Sequence, residues 1–232
     1  MSRIPAQLDD TLPAELTAAD RVLAVVAHPD DESFGLGAVI ARVVDEGTPV
    51  DVLCFTRGEA STLGATADLG RVRTEELARA STTLGVRHLE LLDYPDRGLD
   101  AVLIDELAAH VTTLLCDDRA TLLVIDRDGV TGHADHRAAT AAAFAAARHR
   151  DLPVVEWGLP PVVASALRSE LGGRFAALDD GDGVRTITVR RDRQREAIAC
   201  HVSQLVGNPV VERRLALQEG YERLRVTPPP RD

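Results

Sequence analysis

The sequence predicts an α/β protein with a doubly wound, mostly parallel, Rossmann-like sheet. Strand-length apolar runs alternate with stretches of three- and four-residue apolar spacing through the first two thirds of the chain. Aromatic residues make up only 3% of the chain, whereas 45% of all residues are hydrophobic, so Ala, Val, Leu and Ile must form most of the core. Such side chains are typical of helices packed on a parallel sheet.

The predicted strands and helices follow one another in a regular order. The apolar runs of strand length are 21–27, 50–55, 88–92, 121–126 and 153–157. The helix-length stretches between them are 34–46, 68–84, 101–115 and 135–148. Each strand, helix and following strand forms a right-handed βαβ unit, and repetition of this unit gives a parallel sheet covered by helices on both faces.

The pattern changes after residue 158. Pro160 and Pro161 indicate the start of a helix. The segments RFAAL at 174–178 and VRTITVR at 184–190 flank the turn sequence DDGDG, which predicts a β-hairpin. Two further helical patterns are 192–204 and 211–224. We therefore expect a C-terminal hairpin and helices beside the main sheet.

The length of the chain suits a single domain. A chain of 232 residues with this hydrophobic content can bury one substantial core. We predict one domain over residues 1–232, with 1–19 and 226–232 at its periphery, because the ends of domains are commonly frayed.

Composition also limits the expected partners. The chain has 26 Lys and Arg against 37 Asp and Glu, and its formal charge of −11 would repel a nucleic-acid backbone. The start of the chain lacks the pattern of a signal peptide, and no apolar run is long enough to span a bilayer. We expect a cytoplasmic protein that binds a small molecule, with no nucleic acid or membrane partner. A homo-oligomer is compatible with the sequence.

The cysteines do not indicate a functional site. Cys54, Cys116 and Cys200 are far apart and show no CxxC spacing, so neither a disulfide framework nor a thiolate zinc site is expected. Cys54 lies in an apolar run and is expected in the core, because a reactive thiol needs partial exposure and an electropositive setting.

Two polar motifs follow predicted strands directly. AHPDDE at 27–32 comes after the first strand, and GHADHRA at 132–138 comes shortly after the fourth. Open α/β sheets bind ligands at the carboxyl ends of their strands, and the common strand order 3-2-1-4-5 makes the first and fourth strands neighbours. The two motifs are therefore expected to meet.

Their meeting would bring His28, Asp31 and either His133 or His136 to one point. Three nitrogen or oxygen ligands with a fourth position left open are typical of catalytic zinc sites. Asp30 and the remaining histidine would then be free to move protons. The structural alternative is an acidic helix start and a loop that caps a helix, but two such motifs at strand ends favour a metal site.

A dinucleotide-binding loop is the competing interpretation, because Gly35 and Gly37 follow the first strand. The third glycine of GxGxxG would fall on Ile40, and the acidic residues at 30–32 would face the pyrophosphate. The second strand also lacks the acid that binds the ribose. An oxidoreductase is therefore disfavoured.

The motif AHPDDE together with HADH at 133–136 resembles the LmbE-like, or PIG-L-type, N-deacetylase family. Further similar segments are TRGEAS at 56–61, RTEELARASTTLGV at 73–86, LDYPDRGL at 92–99 and HVSQ at 201–204. The resemblance implies a zinc-dependent hydrolase that removes an N-acyl group from a small sugar-like substrate or glycoside. It implies that His28, Asp31 and His136 ligate Zn²⁺ and that Asp30 is the general base.

The resemblance also implies roles for residues around that centre. His133 would stabilise the oxyanion or protonate the leaving amine, and Asp135 would orient and charge-stabilise the His133 imidazole. Arg73 and Asp96 would contact the substrate. The alternative for Arg73 is a solvated helix arginine paired with a neighbouring acid.

The sequence departs from the family pattern at two positions. Ala134 stands where the family commonly has proline, and Thr131 stands where mycothiol-pathway members carry a tyrosine. Substrate or rate can therefore differ, and the motifs do not distinguish N-acetylglucosaminyl compounds, thiol-cofactor precursors and antibiotic glycosides. The alternatives are an amidase for thiol-cofactor conjugates and a non-catalytic metal-binding module. The presence of Asp30 and His133 favours catalysis.

Overall fold

The computed structural model describes residues 8–115 and 119–229. The strands are β1 (Arg21–Val26), β2 (Val50–Thr56), β3 (His88–Tyr94), β4 (Ala120–Ile125), β5 (Val154–Gly158), β6 (Val184–Thr188) and β7 (Tyr221–Thr227). The helices are α1 (Ala14–Thr17), α2 (Asp31–Phe34), α3 (Gly37–Asp45), α4 (Leu69–Leu84), α5 (Ile104–Leu114), α6 (Ala134–Arg150), α7 (Pro161–Leu171), α8 (Asp192–Cys200), α9 (Val202–Leu205) and α10 (Pro209–Gln218). A short 3-10 helix covers Leu99–Ala101.

The described strands form one sheet in the order β3-β2-β1-β4-β5-β7-β6. Strands β1 to β5 are mutually parallel. The predicted α/β class and the predicted order 3-2-1-4-5 of the first five strands are thus confirmed. Because β1 and β4 are neighbours, the segments that follow them emerge side by side at the carboxyl edge of the sheet.

Helices cover both faces of the sheet, as predicted for a doubly wound fold. Alternate residues of β1 face opposite ways: Val22 and Val26 belong to one buried cluster with α3, α4 and α7, whereas Leu23 and Val25 belong to another with α5 and α6. Cys54 is fully buried in the first cluster, which confirms its expected place in the core. No helix in the described ranges is long and apolar enough to cross a membrane.

The predicted hairpin at 174–190 is wrong. Residues 174–178 form no strand, and β6 pairs antiparallel with β7, from which three helices separate it along the chain. Strand β7 also pairs antiparallel with β5 and so satisfies the edge of the parallel sheet. The turn residues at 179–183 carry only local information about the chain direction. The partner of β6 was instead decided by unpaired backbone N–H and C=O groups at the edges of two strands.

The second C-terminal helical pattern is only partly helical. Helix α10 ends at Gln218, after which Glu219 has a φ of 45° and the chain continues as β7. Strand β7 therefore extends through Val226 and Thr227, which the sequence had placed at the periphery. Near the other end, Leu12 and Leu16 of the predicted periphery are buried in the core. Residues 1–7, 230–232 and Cys116 lie outside the described residues.

Candidate metal centre and cleft

The turn after β1 is held by a carboxylate. Asp31 is the first residue of α2, and its Oδ2 atom accepts hydrogen bonds from the backbone N–H groups of Ala27 and His28 at 3.2 and 3.0 Å. These bonds fold the segment between β1 and α2 back on itself. The His28 and Asp31 side chains consequently face the same point, although a proline and an aspartate separate them in sequence.

His136, from the first turn of α6, completes a group of three. Its Nε2 atom lies 3.1 Å from His28 Nδ1 and 3.1 Å from Asp31 Oδ1, while His28 Nδ1 lies 3.7 Å from Asp31 Oδ2. All three potential ligand atoms fall within 4.8 Å of one another. The structure thus brings together the three residues that the family resemblance implied as metal ligands.

The hydrogen bonds behind the two imidazoles determine their tautomers. His136 Nδ1 lies 3.3 Å from the carbonyl oxygen of Gly129, which can only accept, so this nitrogen carries the proton. His28 Nε2 lies 3.2 Å from Asp135 Oδ2 and donates to it. The lone pairs of His28 Nδ1 and His136 Nε2 therefore face each other, and only a cation or an additional proton can satisfy both. This donor set fits zinc, which prefers such supported imidazoles and a carboxylate.

The electrostatics of the group favour positive charge. Burial alone would lower the pKa of His28, but its hydrogen bonds to Asp135 and Asp96 and the charge of Asp31 raise it to about 10. Burial likewise opposes charge on His136, yet Asp31 raises its pKa. In turn, the pKa of Asp31 is lowered by the two histidines despite burial, which on its own would raise it.

Asp30 lies beside this group with a different set of contacts. Its Oδ2 atom is 3.0 Å from Arg73 Nη2, and 17% of its side chain is exposed. Burial and the neighbouring charge of Asp31 raise the pKa of Asp30 to about 6, although Arg73 opposes this shift. Its backbone has a φ of 133° and a ψ of −26°, a conformation that costs on the order of 1–3 kcal/mol in a residue with a side chain.

His133 caps the N-terminus of α6 next to the metal group. Its Nδ1 atom accepts the backbone N–H of Asp135 at 3.3 Å, so Nε2 carries the proton. Its ring centroid is 4.7 Å from that of His28. Burial and the positive charges of His28 and His136 lower the pKa of His133, which keeps its imidazole neutral at neutral pH.

Asp135 has a wider set of contacts than the resemblance implied, although one of its carboxylate oxygens lies within 4.8 Å of a His133 ring nitrogen. Its fully buried carboxylate hydrogen-bonds His28 rather than the His133 ring, and it also accepts the backbone N–H groups of Arg97 and Leu99 at 2.7 and 3.2 Å. The cause is its position in the first turn of α6, which points the side chain toward the loop after β3. Its pKa is lowered by these hydrogen bonds, although burial opposes the shift.

Asp96 also supports His28. Its Oδ1 atom lies 3.1 Å from His28 Nε2, and its Oδ2 atom accepts the backbone N–H of Ala60 at 2.9 Å. Only 5% of its side chain is exposed, and both oxygens contact protein atoms, although the residue also lines the cleft. The sequence signal that could have indicated this was its place just after β3, at the same carboxyl edge of the sheet.

Arg73 is buried, so the alternative of a solvated helix arginine is wrong. It projects from α4, donates to the carbonyl oxygens of Pro29 and Gly58 at 2.5 and 2.7 Å, and pairs with Asp30. Gly58 has a φ of 64°, and a Cβ atom there would collide with the Arg73 guanidinium. Arg73 therefore joins the turn after β1 to the loop after β2.

An open cleft of about 430 Å³ is lined by the three residues of the metal group together with Asp30, Arg73, Asp96 and His133. The apolar residues that line it include Phe34, Val130, Trp157, Val210 and Val211. Further polar residues that line it are Ser61, Thr62, Arg97, Thr131, Gln204, Asn208 and Arg214. Helices α9 and α10 thus contribute to the cleft, which the sequence analysis did not predict beyond the resemblance of 201–204.

The fold and site define an α/β protein with a candidate catalytic metal centre at the carboxyl edge of a parallel sheet. Comparison with known families gives a match to the PIG-L family, GlcNAc-PI de-N-acetylase, over residues 23–147. This match covers more than half of the chain and includes both polar motifs. The protein therefore belongs to the PIG-L family.

Individual relatives agree with this assignment. A 1D-myo-inositol 2-acetamido-2-deoxy-α-D-glucopyranoside deacetylase of Rhodococcus opacus is 30% identical over 82% of this chain and 83% of its own. A protein of the same name from Streptomyces avermitilis is 35% identical over 71% of this chain and 72% of its own. The conserved protein TT1542 of Thermus thermophilus is similar in structure, with a TM-score of 0.65 and 25% identity over 92% of this chain and 97% of that one.

Proposed function

We propose that this protein is a zinc-dependent hydrolase that removes an N-acyl group, acetyl in the simplest case, from a small amino-sugar glycoside. The observation that carries the proposal is the convergence of His28, Asp31 and His136 beside Asp30 and His133 in an open cleft. Family membership and the names of the relatives, which are deacetylases of a 2-acetamido sugar, support the reaction and the substrate class.

The metal would be held by His28 Nδ1, an Asp31 oxygen and His136 Nε2. Zinc bound there would polarise the amide carbonyl and lower the pKa of a water molecule toward ~7. Asp135 and the Gly129 carbonyl keep the two imidazoles in the tautomers that this binding requires. We assign Asp96 the same supporting task for His28, in place of substrate contact.

Asp30 is the proposed general base. Its carboxylate borders the metal group without belonging to it, and its raised pKa of about 6 suits a group that exchanges protons near neutral pH. It would accept a proton from the attacking water and deliver it to the leaving nitrogen. Arg73 would orient this carboxylate through its ion pair rather than bind the substrate.

His133 is the proposed donor to the carbonyl oxygen. Its neutral ring and its protonated Nε2 support a hydrogen bond to the oxygen on which negative charge develops, a contribution that grows in the transition state. This favours oxyanion stabilisation over protonation of the amine, the second role that the sequence left open. Asp135, which was predicted to stabilise charge on His133, would mainly stabilise positive charge on His28, to which it is hydrogen-bonded.

The cleft supports a substrate of sugar size. Thr62 and Arg97 line it with exposed polar side chains that can exchange hydrogen bonds with hydroxyl groups, and its apolar residues offer a surface for a pyranose ring. Thr131 also lines the cleft but carries a shorter hydroxyl than the tyrosine of mycothiol-pathway members. A cytoplasmic location, a small-molecule partner and the homo-oligomeric state remain predictions.

The experiment is a panel of N-acetylglucosaminides with polyol, carboxylic acid and apolar aglycones, tested for released amine by the zinc-loaded and the chelator-treated protein. We expect release only with metal. His136→Ala should abolish it, whereas His149→Ala, an exposed histidine on the same helix, should not. Metal binding without release of any amine would favour the non-catalytic module, and release from thiol conjugates alone would favour the amidase.

A further inference from the structure

A buried glutamate and a buried histidine lie next to the backbone of Asp30, and the proposed mechanism does not use them. Glu32 and His201 are both 0% exposed, and His201 Nε2 lies 2.7 Å from Glu32 Oε1. The two residues are 169 positions apart. His201 lies outside the segment 23–147 that matches the family.

Glu32 is fully occupied by protein donors. Its Oε1 atom accepts the hydroxyl of Ser33 at 2.5 Å as well as His201, and its Oε2 atom accepts the backbone N–H of Asp30 at 2.9 Å. A carboxylate buried this deeply is costly unless each oxygen is satisfied. The Glu32 carboxylate is therefore held in one orientation, to which the His201 imidazole contributes the contact from the C-terminal part of the chain.

The backbone of Asp30, which donates its N–H to Glu32, is strained. Asp30 has a φ of 133°, a conformation that is unfavourable for every residue except glycine. Its N–H donates to Glu32, and its carbonyl oxygen accepts the N–H groups of Ser33 and Phe34 at 3.0 and 2.6 Å. A φ of this kind persists only where the surroundings over-determine it. It sets the direction of the Asp30 side chain, whose Oδ2 atom lies 3.0 Å from Arg73 Nη2 in the cleft that also contains the metal group.

His201 reaches Glu32 from the junction of α8 and α9. Its ring stands edge-on to Phe34 with the centroids 5.6 Å apart, and its Nδ1 atom is buried without a hydrogen-bond partner in the described part of the chain. The neighbouring Ser203 and Gln204 dock on α4 and on the loop after β2, through Glu76 and Ser61. This anchoring holds the imidazole in place with a single hydrogen bond left to make, the one to Glu32.

We propose that Glu32 and His201 are a positioning pair that holds the strained backbone of Asp30 and thereby aims its carboxylate at the reacting water. The proposal rests on the function proposed above, in which Asp30 is the general base. It assigns to the C-terminal segment a part in the chemistry although that segment supplies none of the proposed metal ligands.

The test exploits the two different nitrogens of His201. The amide nitrogen of glutamine can take the place of Nε2, whereas that of asparagine is a bond shorter and takes the place of Nδ1. His201→Gln should therefore retain the contact with Glu32, and His201→Asn should lose it. His110 of α5 provides the matched control, because its Nε2 atom also has one partner, the Tyr94 hydroxyl at 2.9 Å, remote from the cleft.

Turnover, KM and zinc content are measured for the zinc-loaded variants. We expect kcat to fall roughly 10- to 100-fold in His201→Asn, with KM and zinc content unchanged, because a small displacement of a catalytic group costs rate rather than binding. His201→Gln should recover most of this loss. His110→Asn and His110→Gln should both turn over like the original protein. Equal kcat in the two His201 variants would overturn the proposal.

A crystal structure of His201→Asn provides the readout that does not depend on activity. We expect Asp30 to leave its positive φ in this variant and to keep it in His201→Gln. Retention of the positive φ in His201→Asn would overturn the positioning role. If the original protein releases no amine from any substrate, the proposed function fails, while the φ of Asp30 in the two variants still decides whether the pair holds this backbone.

Discussion

The Asp135 carboxylate hydrogen-bonds the Nε2 atom of His28 at 3.2 Å across 107 positions of sequence. One residue of the second motif thus sets the tautomer of a proposed ligand from the first. A carboxylate behind a metal-binding imidazole orients the ring and raises its basicity. The two motifs are therefore joined through protein atoms before any ion is considered, which implies a centre that is organised by the fold.

This contact predicts the effect of Asp135→Asn. The amide has a single, weaker acceptor oxygen, so His28 should lose much of its support, and zinc affinity should fall roughly 10- to 100-fold. Competition with a chelator measures the change. Asp128→Asn, on the exposed loop that leads to the same helix, is the control and should bind zinc unchanged. Equal affinity in the two variants would contradict the orienting role.

The two histidines of the second motif should separate binding from turnover. His136→Ala removes a proposed ligand and should lose metal after dialysis, whereas His133→Ala should keep metal and lose turnover because its Nε2 is assigned to the substrate oxygen. Elemental analysis and amine release measure the two properties on the same samples. Equal metal loss would show that the histidines have been assigned to the wrong tasks.

The adjacent aspartates should give opposite results. Asp30→Asn keeps the size of the side chain but removes the basic oxygen, so turnover should fall by ~10² to 10⁴ while zinc content stays near that of the original protein. Asp31→Asn should instead weaken zinc binding, because an amide oxygen is a poorer partner for a dication. Should Asp30→Asn lose zinc and Asp31→Asn retain it, base and ligand would have to be exchanged.

Arg73→Met should reduce both stability and turnover. The change leaves the Pro29 carbonyl oxygen without its donor, at a cost of about 1–3 kcal/mol, and leaves the Gly58 carbonyl oxygen with only the backbone N–H of Ser61 at 3.3 Å among the described donors. Asp30 also loses its partner, so kcat should fall more than KM rises. Urea unfolding and steady-state kinetics measure these effects. Arg71→Met, on the exposed side of the same helix, should change neither quantity noticeably.

The buried carboxylate of Glu222, which lies away from the proposed base, is expected to make the stability of the protein sensitive to acid. Burial would raise the pKa of Glu222, but the charges of Arg191 and Arg214 lower it below the ordinary glutamate value. A folded-state pKa below the unfolded one stabilises the protein above the unfolded value of about 4.3, and this contribution is lost as the pH falls further. Glu222→Gln should therefore be less stable than the original protein at pH 7, and this difference should shrink in acid. A constant difference in urea unfolding from pH 7 to pH 3 would contradict it.

Much of the site could be predicted because most of its residues lie in two short sequence motifs. The segments around His28 and His136 follow apolar strands directly, and any parallel sheet exposes such segments at one edge. The supporting residues could not be predicted in the same way. Asp96 lines the cleft and the Asp135 carboxylate lies near His133, but the contact of both carboxylates with His28 was not predicted. Side-chain direction depends on which neighbouring loop closes over the site.

The sequence by itself determined the alternation of strands and helices, the parallel part of the sheet and the two motifs that contain the proposed ligands. These follow from apolar periodicity and from side chains that lie next to strand ends, both of which are local properties of the chain. Only the tertiary structure decided the pairing of β6 with β7, the burial of Arg73 and the contact of His201 with Glu32. These depend on unpaired backbone edges and buried polar groups finding partners far away in sequence, and no local pattern records which partner is nearest once the core has closed.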